Sequence, residues 1–370
     1  MMRQDLEPLL RTLPRLLAHA ADEGVILGTL GSMELNLAGY PFPGWSHAES
    51  RRAVAQTLLP LLQELPQYEW ALSTEMTELS ETERYLLMER GQLTPTMAAR
   101  QDGVYLLLNK EQDTECFIND EEHLHLQKFY PGASGTEKAL HELSELRGTL
   151  LRQLTPAHDA VFGYLSYDPS KSGAQIFFSY LAFLPGLGLA KHIPKMKRAL
   201  DEMGLFISPL FGYRKKEVGD LWLIHSPASA ESQLEATVAE LKQILADITH
   251  QELQARERLI DSPRGENRLR KLVSEAHKDL TRASLLRYNR MLEALALLRL
   301  GGFYGWLQAE TTPAQCCEQI ARAYQETAPV HQTWRCNIPT QRERQKARAA
   351  YTRELIETRL SLTIHHPFPY

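Results

Sequence analysis

The hydrophobic pattern changes character along the chain. Residues 46–64 place Ala53, Leu58, Leu59 and Leu62 on one side of a helical period, with Ser46 before them as a cap, which predicts a helix. Short apolar runs follow at 103–109 (GVYLLLN), 115–119 (ECFIN) and 123–127 (HLHLQ), and each reads as a strand. A polar helical segment is expected over 135–155. Strands are then expected at 161–167 (VFGYLSY), 174–184 (AQIFFSYLAFL), 205–213 (LFISPLFGY) and 220–226 (DLWLIHS), with a helix over 189–203 closed by Gly204.

Residues 229–260 predict one long helix, because Leu234, Val238, Leu241, Leu245 and Ile248 alternate steps of three and four. That stripe spans about two heptads, which suits core packing better than a free coiled coil. The segment DSPRGEN (261–267) reads as a boundary. Beyond it, 268–300, 313–327 and 340–360 all read as helical. The pattern therefore predicts an α+β domain followed by an all-helical one, and no internal repeat is seen.

Composition alters this little. The 370 residues suit two domains rather than one core. A net charge of −5 gives no overall nucleic-acid footprint. The four cysteines (Cys116, Cys316, Cys317, Cys336) have no C-x-x-C spacing, so reduced thiols in a cytoplasm fit better than a zinc ribbon or a disulfide framework. The amphipathic N-terminus lacks the apolar core of a signal peptide. The most apolar stretch, 174–190, is broken by Gln175, Ser179, Pro185 and three glycines, so no membrane span is expected.

The stretch NDEEHLHLQ (119–127) carries the densest local chemistry. Its acids and histidines suit a metal site, an acid/base catalyst or a solvated turn. Glu121, His123 and His125 alternate along one strand face, as zinc ligands could, but no third protein ligand is placed by the sequence.

Five ordered segments resemble the bacterial protein-arginine kinases, relatives of the phosphagen kinases. VILGTLGSMELNLAGYPFP is similar to V-x-L-S-S-R-I-R-L-A-R-N followed by F-P, and NDEEHLHLQ to N-E-E-D-H-L-R-I-Q. GYLSYDPSKSGAQIFFSYLAFLPGL, MGLFISPLFGYRKKEVGDLWLIHS and ERQKARAAYTREL resemble three further motifs in order. The resemblance runs from about Gly24 to Leu360. It implies a curved antiparallel sheet flanked by helices, of the phosphagen-kinase and glutamine-synthetase-like kind, with a helical C-terminal domain. The expected limits are 1–262 for the kinase-like domain (a helical part to about 65, a sheet part over 66–262) and 263–370 for the helical one. The implied reaction passes the γ-phosphoryl group of ATP to arginine in proteins.

Arginines suit that reaction because their planar forks make charge-assisted bonds to phosphate, while paired carboxylates grip the guanidinium. At the matching positions this chain departs. Leu30, Ser32, His125, Phe177 and Ser208 stand at five phosphate-binding arginines, and Leu35 at a further arginine of the first motif. Tyr213 stands at the second glutamate and Asp168 at a cysteine. Glu121, at the first catalytic glutamate, is kept together with Asn119 and His123. His123 and His125 are the candidates for any remaining nucleotide contact. The resemblance therefore implies a pseudokinase with no cofactor. The alternative is an active or weakly active kinase using Mg-ATP, with Lys171, Arg214, Lys215 and Lys216 as replacement cations.

RQKARA (344–349) is similar to the family's R-D-x-x-R-A, which implies a phosphoarginine pocket built on Arg344 and Arg348, with Gln345 in place of aspartate. Without the resemblance these are two basic residues on one helix face. Cys316 and Cys317 read as small buried residues, and His365 and His366 as a tail or a docking strand. Expected partners are proteins: an active arginine kinase, a zinc-finger activator or a Clp-type protease. No nucleic acid and no membrane are expected, and a homodimer is open.

Overall fold

The computed structural model describes residues 4–14, 24–99, 102–210, 212–213, 216–308, 310, 312–361 and 363–364. Among these, eight strands form one large sheet in the order β2-β3-β4-β5-β1-β8-β12-β9. They are β1 (Ile26–Leu35), β2 (Trp70–Glu75), β3 (Tyr105–Asn109), β4 (Thr114–Ile118), β5 (Leu124–Pro131), β8 (Ile176–Phe183), β9 (Phe206–Pro209) and β12 (Leu221–His225). Two short hairpins complete the count to β12: β6 (His158–Asp159) with β7 (Gly163–Tyr164), and β10 (Gly212–Tyr213) with β11 (Lys216–Glu217). Sheet, flanking helices and a helical C-terminal part give the α+β class that the pattern predicts. No helix among the described residues is long and apolar enough to cross a membrane.

The chain divides into two compact units. The first holds the described residues of Met1–Leu16, Gly28–Tyr180 and His225–Gln243. Its core is the leucine-rich middle of the sheet, Leu106, Leu107, Leu108, Leu124 and Leu126, with Leu58 and Leu62 from the helix Ala48–Gln63. A second helix, Gly135–Leu151, lies against β1 at Gly31. A Cβ there would stand 2.8 Å from Ala139 Cβ and 2.9 Å from a Leu143 methyl, so the approach requires glycine. Side chains alternate along a strand. Gly31 and Met33 therefore face that helix, while Leu30, Ser32 and Glu34 face the other way. Antiparallel register sets Ser32 opposite Gln127 and Glu34 opposite His125.

The second unit holds the described residues of Leu17–Leu27, Leu181–Ile224 and Ile244–Tyr370. The helix Pro263–Arg282 buries Leu269, Val273, Ala276 and Leu280 at steps of four, three and four. The helix Tyr288–Phe303 is buried on most sides, through Met291, Leu292, Leu295 and Leu298. Both Oε atoms of Glu252 accept backbone N–H groups, from Gly186 and Leu187, at the first turn of the helix Pro185–Leu189. Arg256 completes this buried carboxylate's partners at 2.6 Å.

Several local expectations need correction. The cap of the helix Ala48–Gln63 is His47, and the Ser46 hydroxyl donates instead to Pro43 O. The segment 161–167 is mostly turn. Asp159 Oδ1 accepts from Val161 N and Phe162 N, which leaves both apolar side chains exposed and only Gly163–Tyr164 paired. The segment 268–300 is two helices, because Arg353 takes the carbonyls of Thr281 and Ala283 and Arg348 that of Leu286. The long helix starts at Leu234, after a single 3-10 turn over Glu231–Gln233.

Candidate functional site

The sheet face turned away from the helix Gly135–Leu151 carries the motif positions of the first unit. Its half-buried side chains are Leu30 and Ser32 on β1, His125 and Gln127 on β5, and Phe177 and Ser179 on β8, and the buried ring of Phe117 on β4 lies 5.8 Å from that of His125. Glu34 stands beside them, nearly buried. Strands β1 and β8 run antiparallel, since Glu34 N–H bonds Gln175 O and Phe183 N–H bonds Val25 O. Strand pairing thus brings Leu30, Ser32, His125 and Phe177 onto one surface from three separated segments.

Charge on this face is largely compensated. Lys171 Nζ lies 2.9 Å from Glu34 Oε1 and over the Phe177 ring at 5.4 Å. Burial alone would lower its ammonium pKa, but Glu34, with Glu121 and Glu122, outweighs that and raises it. Burial, then the Lys171 charge, pushes His125 down to about 4. His225 is likewise pushed down to about 4, and its Nδ1 lies 2.8 Å from Ser179 Oγ. Both rings are therefore neutral near pH 7.

The loop from Asn119 to His123 holds the acids. Asn119 sits at φ 62° and donates through Nδ2 to Arg51 O and Gly103 O, which fixes the turn. Glu122 is buried and accepts from Asn36 Nδ2, Ser166 Oγ and the Tyr167 N–H. Burial raises its pKa, against the pull of these donors. His123 is buried; Nδ1 accepts from Leu37 N–H, so Nε2 donates to Pro41 O at 3.0 Å. Both its nitrogens serve the fold. Glu121 alone of the three acids is exposed. The backbone N–H and Oγ of Ser170 hold Asp168, on the loop after Tyr167, below the usual carboxylate range.

Ser208 belongs to the second unit. Arg214, Lys215, His365 and His366 lie outside the described residues, as do the side chains of Tyr213, Lys216 and Cys317. In the second unit, a cavity of about 510 Å³ is lined by Arg287, Arg290, Arg344, Gln345 and Arg348, among others. Arg348 is only 2% exposed and donates to Thr327 O, Leu286 O and Gln332 Oε1. Arg344 is half-buried and donates through Nη1 to Thr333 Oγ1, Ile338 O and Pro339 O. The sequence reading did not single out Glu34, Ser179 or His225. Strand alternation from Leu30 and Ser32 was the signal for Glu34; Ser179 and His225 meet only through the tertiary fold.

Comparison with known proteins gives the family and the fold. The family model for the C-terminal catalytic domain of ATP:guanido phosphotransferases matches residues 55–255. The chain belongs to the ATP:guanido phosphotransferase family, and the relatives it resembles in sequence are protein-arginine kinases. That of Halothermothrix orenii is 28% identical over 280 residues, covering 76% of this chain and 79% of the relative. That of Bacillus mycoides is 26% identical over 234 residues, covering 63% and 65%. The chain thus spans somewhat under two thirds of the length of the Bacillus relatives.

Two solved structures share the fold. The duplicated taurocyamine kinase of Schistosoma mansoni, with bound transition-state-analogue components, matches with a TM-score of 0.54 at 19% identity, over 74% of this chain and 40% of that one. A lombricine kinase matches with a TM-score of 0.51 at 18% identity, over 66% and 72%.

Proposed function

We propose that this chain is a non-catalytic member of the protein-arginine kinase family that works by binding a protein. The observation that carries the reading is the sheet face of the first unit turned away from the helix Gly135–Leu151. At Leu30, Ser32, His125 and Phe177, where the family motifs have arginines, it offers two apolar groups, a hydroxyl and a neutral imidazole. A cation beside them, Lys171, is already matched by Glu34. Each charge-assisted hydrogen bond is worth roughly 1.5–3 kcal/mol, so the loss of two costs about two to four powers of ten. This face does not fit a nucleoside triphosphate with its magnesium.

Glu121 keeps the substrate side of the motif, exposed and able to meet a guanidinium. A cytoplasmic setting and a partner such as an active arginine kinase, a zinc-finger activator or a Clp-type protease accord with the family likeness. The decisive experiment is transfer of labelled γ-phosphate from Mg-ATP to arginine in a protein substrate. No transfer above background is expected. Robust transfer abolished by Glu121→Gln would restore the active-kinase reading.

A further inference from the structure

The helix Ile193–Glu202 carries its charges the wrong way round. A helix is stabilised by acids in its first turn and bases in its last. Here the first turn holds no acid and the last no base. Instead Lys195, Lys197 and Arg198 crowd the N-terminal half, and Asp201 and Glu202 close the C-terminal end. Lys195 and Arg198 are like charges three positions apart, which are neighbours on a helix and repel. Just before the helix, Lys191 takes the left-handed position, φ 60°, that closes the preceding helix Pro185–Leu189. Its N–H bonds Gly188 O, and that of His192 bonds Leu187 O. Glycine suits that position better than any side chain.

All four cations are exposed. The chain has no acid from Pro185 to Leu200. Cations on other helices take a glutamate one turn away, as Arg11 does Glu7, Lys271 Glu275 and Arg322 Glu318. Among the described residues, Lys191, Lys195, Lys197 and Arg198 form no ion pair. The patch therefore weakens the fold and is matched by nothing within it, although the chain as a whole carries a net charge of −5. Its border is apolar: Met203, at the end of the helix, is 49% exposed, and Phe206 on β9 is 53% exposed.

The surroundings of the charge select the kind of anion. A membrane-surface helix lays its apolar side into lipid, but Met196 and Leu200, the apolar side of this helix, are buried in the fold. A nucleic-acid surface normally belongs to a basic domain, whereas this chain is acidic overall. Cations bordered by exposed apolar side chains suit a peptide that brings carboxylates together with apolar residues.

We infer that Lys191, Lys195, Lys197 and Arg198 form a docking surface for an acidic segment of a partner protein. The inference rests on the reading that this chain works by binding a protein, and it names the surface and the charge of the partner.

The test uses the full chain without nucleotide. A labelled, capped peptide of glutamates and leucines among serines is titrated by fluorescence anisotropy, beside a counterpart with glutamine for every glutamate. The glutamate peptide is expected to bind and the glutamine peptide not to bind. Raising the salt from about 50 to 500 mM should weaken binding about 10-fold. Lys195→Glu, Lys197→Glu and Arg198→Glu combined should weaken it about 10-fold or more. That reversal should not lower the unfolding midpoint, since acids suit this end of the helix. Lys191→Gly should weaken binding without lowering the midpoint, since glycine relieves the left-handed turn. Equal binding of the glutamine peptide, indifference to salt or to the charge reversal, a lower midpoint in Lys191→Gly, or no binding at millimolar peptide would overturn the surface. So would tighter capture by phosphatidylserine vesicles or by single-stranded DNA, lost on the same charge reversal. Phosphoryl transfer in the separate ATP assay would overturn the non-catalytic reading while leaving a peptide affinity that depends on Lys195, Lys197 and Arg198 intact.

Discussion

Lys171 and Glu34 are 137 positions apart in sequence and meet at 2.9 Å, with Glu34 nearly buried and Lys171 one-third exposed. A cation on the face where the family motifs converge is thereby matched from within the fold. Glu34→Gln should leave a half-buried ammonium short of its counter-charge and cost about 1–3 kcal/mol, less than a fully buried pair. Adding Lys171→Met should recover most of that loss. Denaturant unfolding of the two variants decides it: if Glu34→Gln costs nothing, the pair does not stabilise the face.

Acid should destabilise the fold through His125 and His225. The sign follows from which state holds the proton. With pKa values near 4 in the fold against an ordinary 6.5, both rings stay neutral in the native state while the unfolded chain takes up protons below 6.5. Their contribution is full above pH 6.5 and falls as the pH drops toward 4. Glu115 opposes them. Burial pushes its carboxyl up to about 7 from an ordinary 4.5, so its contribution falls as pH rises through that window. Each unmatched proton gives a slope of about 1.4 kcal/mol per pH unit. Two histidines against one glutamate leave about one such slope between pH 4.5 and 6.5, and Glu115→Gln should roughly double it. A series of unfolding midpoints across that range, with and without the substitution, tests the assignment.

Arg90 ties the N-terminal helix Leu6–Arg11 to the first unit. It is 2% exposed and donates to Leu9 O, Leu10 O, Thr12 O and the side chains of Gln92 and Gln112. The carbonyls at that helix end suit a cation. Burial nevertheless pushes the guanidinium down to about 9. Arg90→Ala should cost about 3–5 kcal/mol by leaving those acceptors unmet. It should also open residues 4–14 to proteolysis, while Arg90→Lys, with one nitrogen for several carbonyls, rescues little. Unchanged protease resistance in Arg90→Ala would refute this role.

The two arginines of the R-x-x-x-R pair in the second unit should separate on substitution. Arg348 braces Thr327 and Leu286 from the helix Gln341–Glu354, so Arg348→Ala is expected to lose about 3 kcal/mol of stability. Arg344 is half-buried and its acceptors lie near the surface, so Arg344→Ala should cost less, about 0.5–1 kcal/mol. Any phosphoarginine affinity is therefore read cleanly from Arg344→Ala. Similar melting losses for both variants would contradict the split.

What the sequence determined is the class and most of the elements. Periods of two and three to four residues are local, and so were the motifs that mark the family. The strand β1 was harder to read because Gly28 and Gly31 dilute its apolar pattern, and both are there to admit neighbours: the Phe129 ring at one, the helix Gly135–Leu151 at the other. Only the tertiary structure decided the roles of the charged residues. Glu121 and Glu122 are adjacent and alike, yet one faces solvent and the other is closed around by Asn36, Ser166 and Tyr167 from far along the chain. Arg348 matches a ligand motif but spends its fork on carbonyls 21 and 62 positions away. A side chain's chemistry is written in its own letter, whereas its burial and its partners are set by segments that meet only when the chain folds.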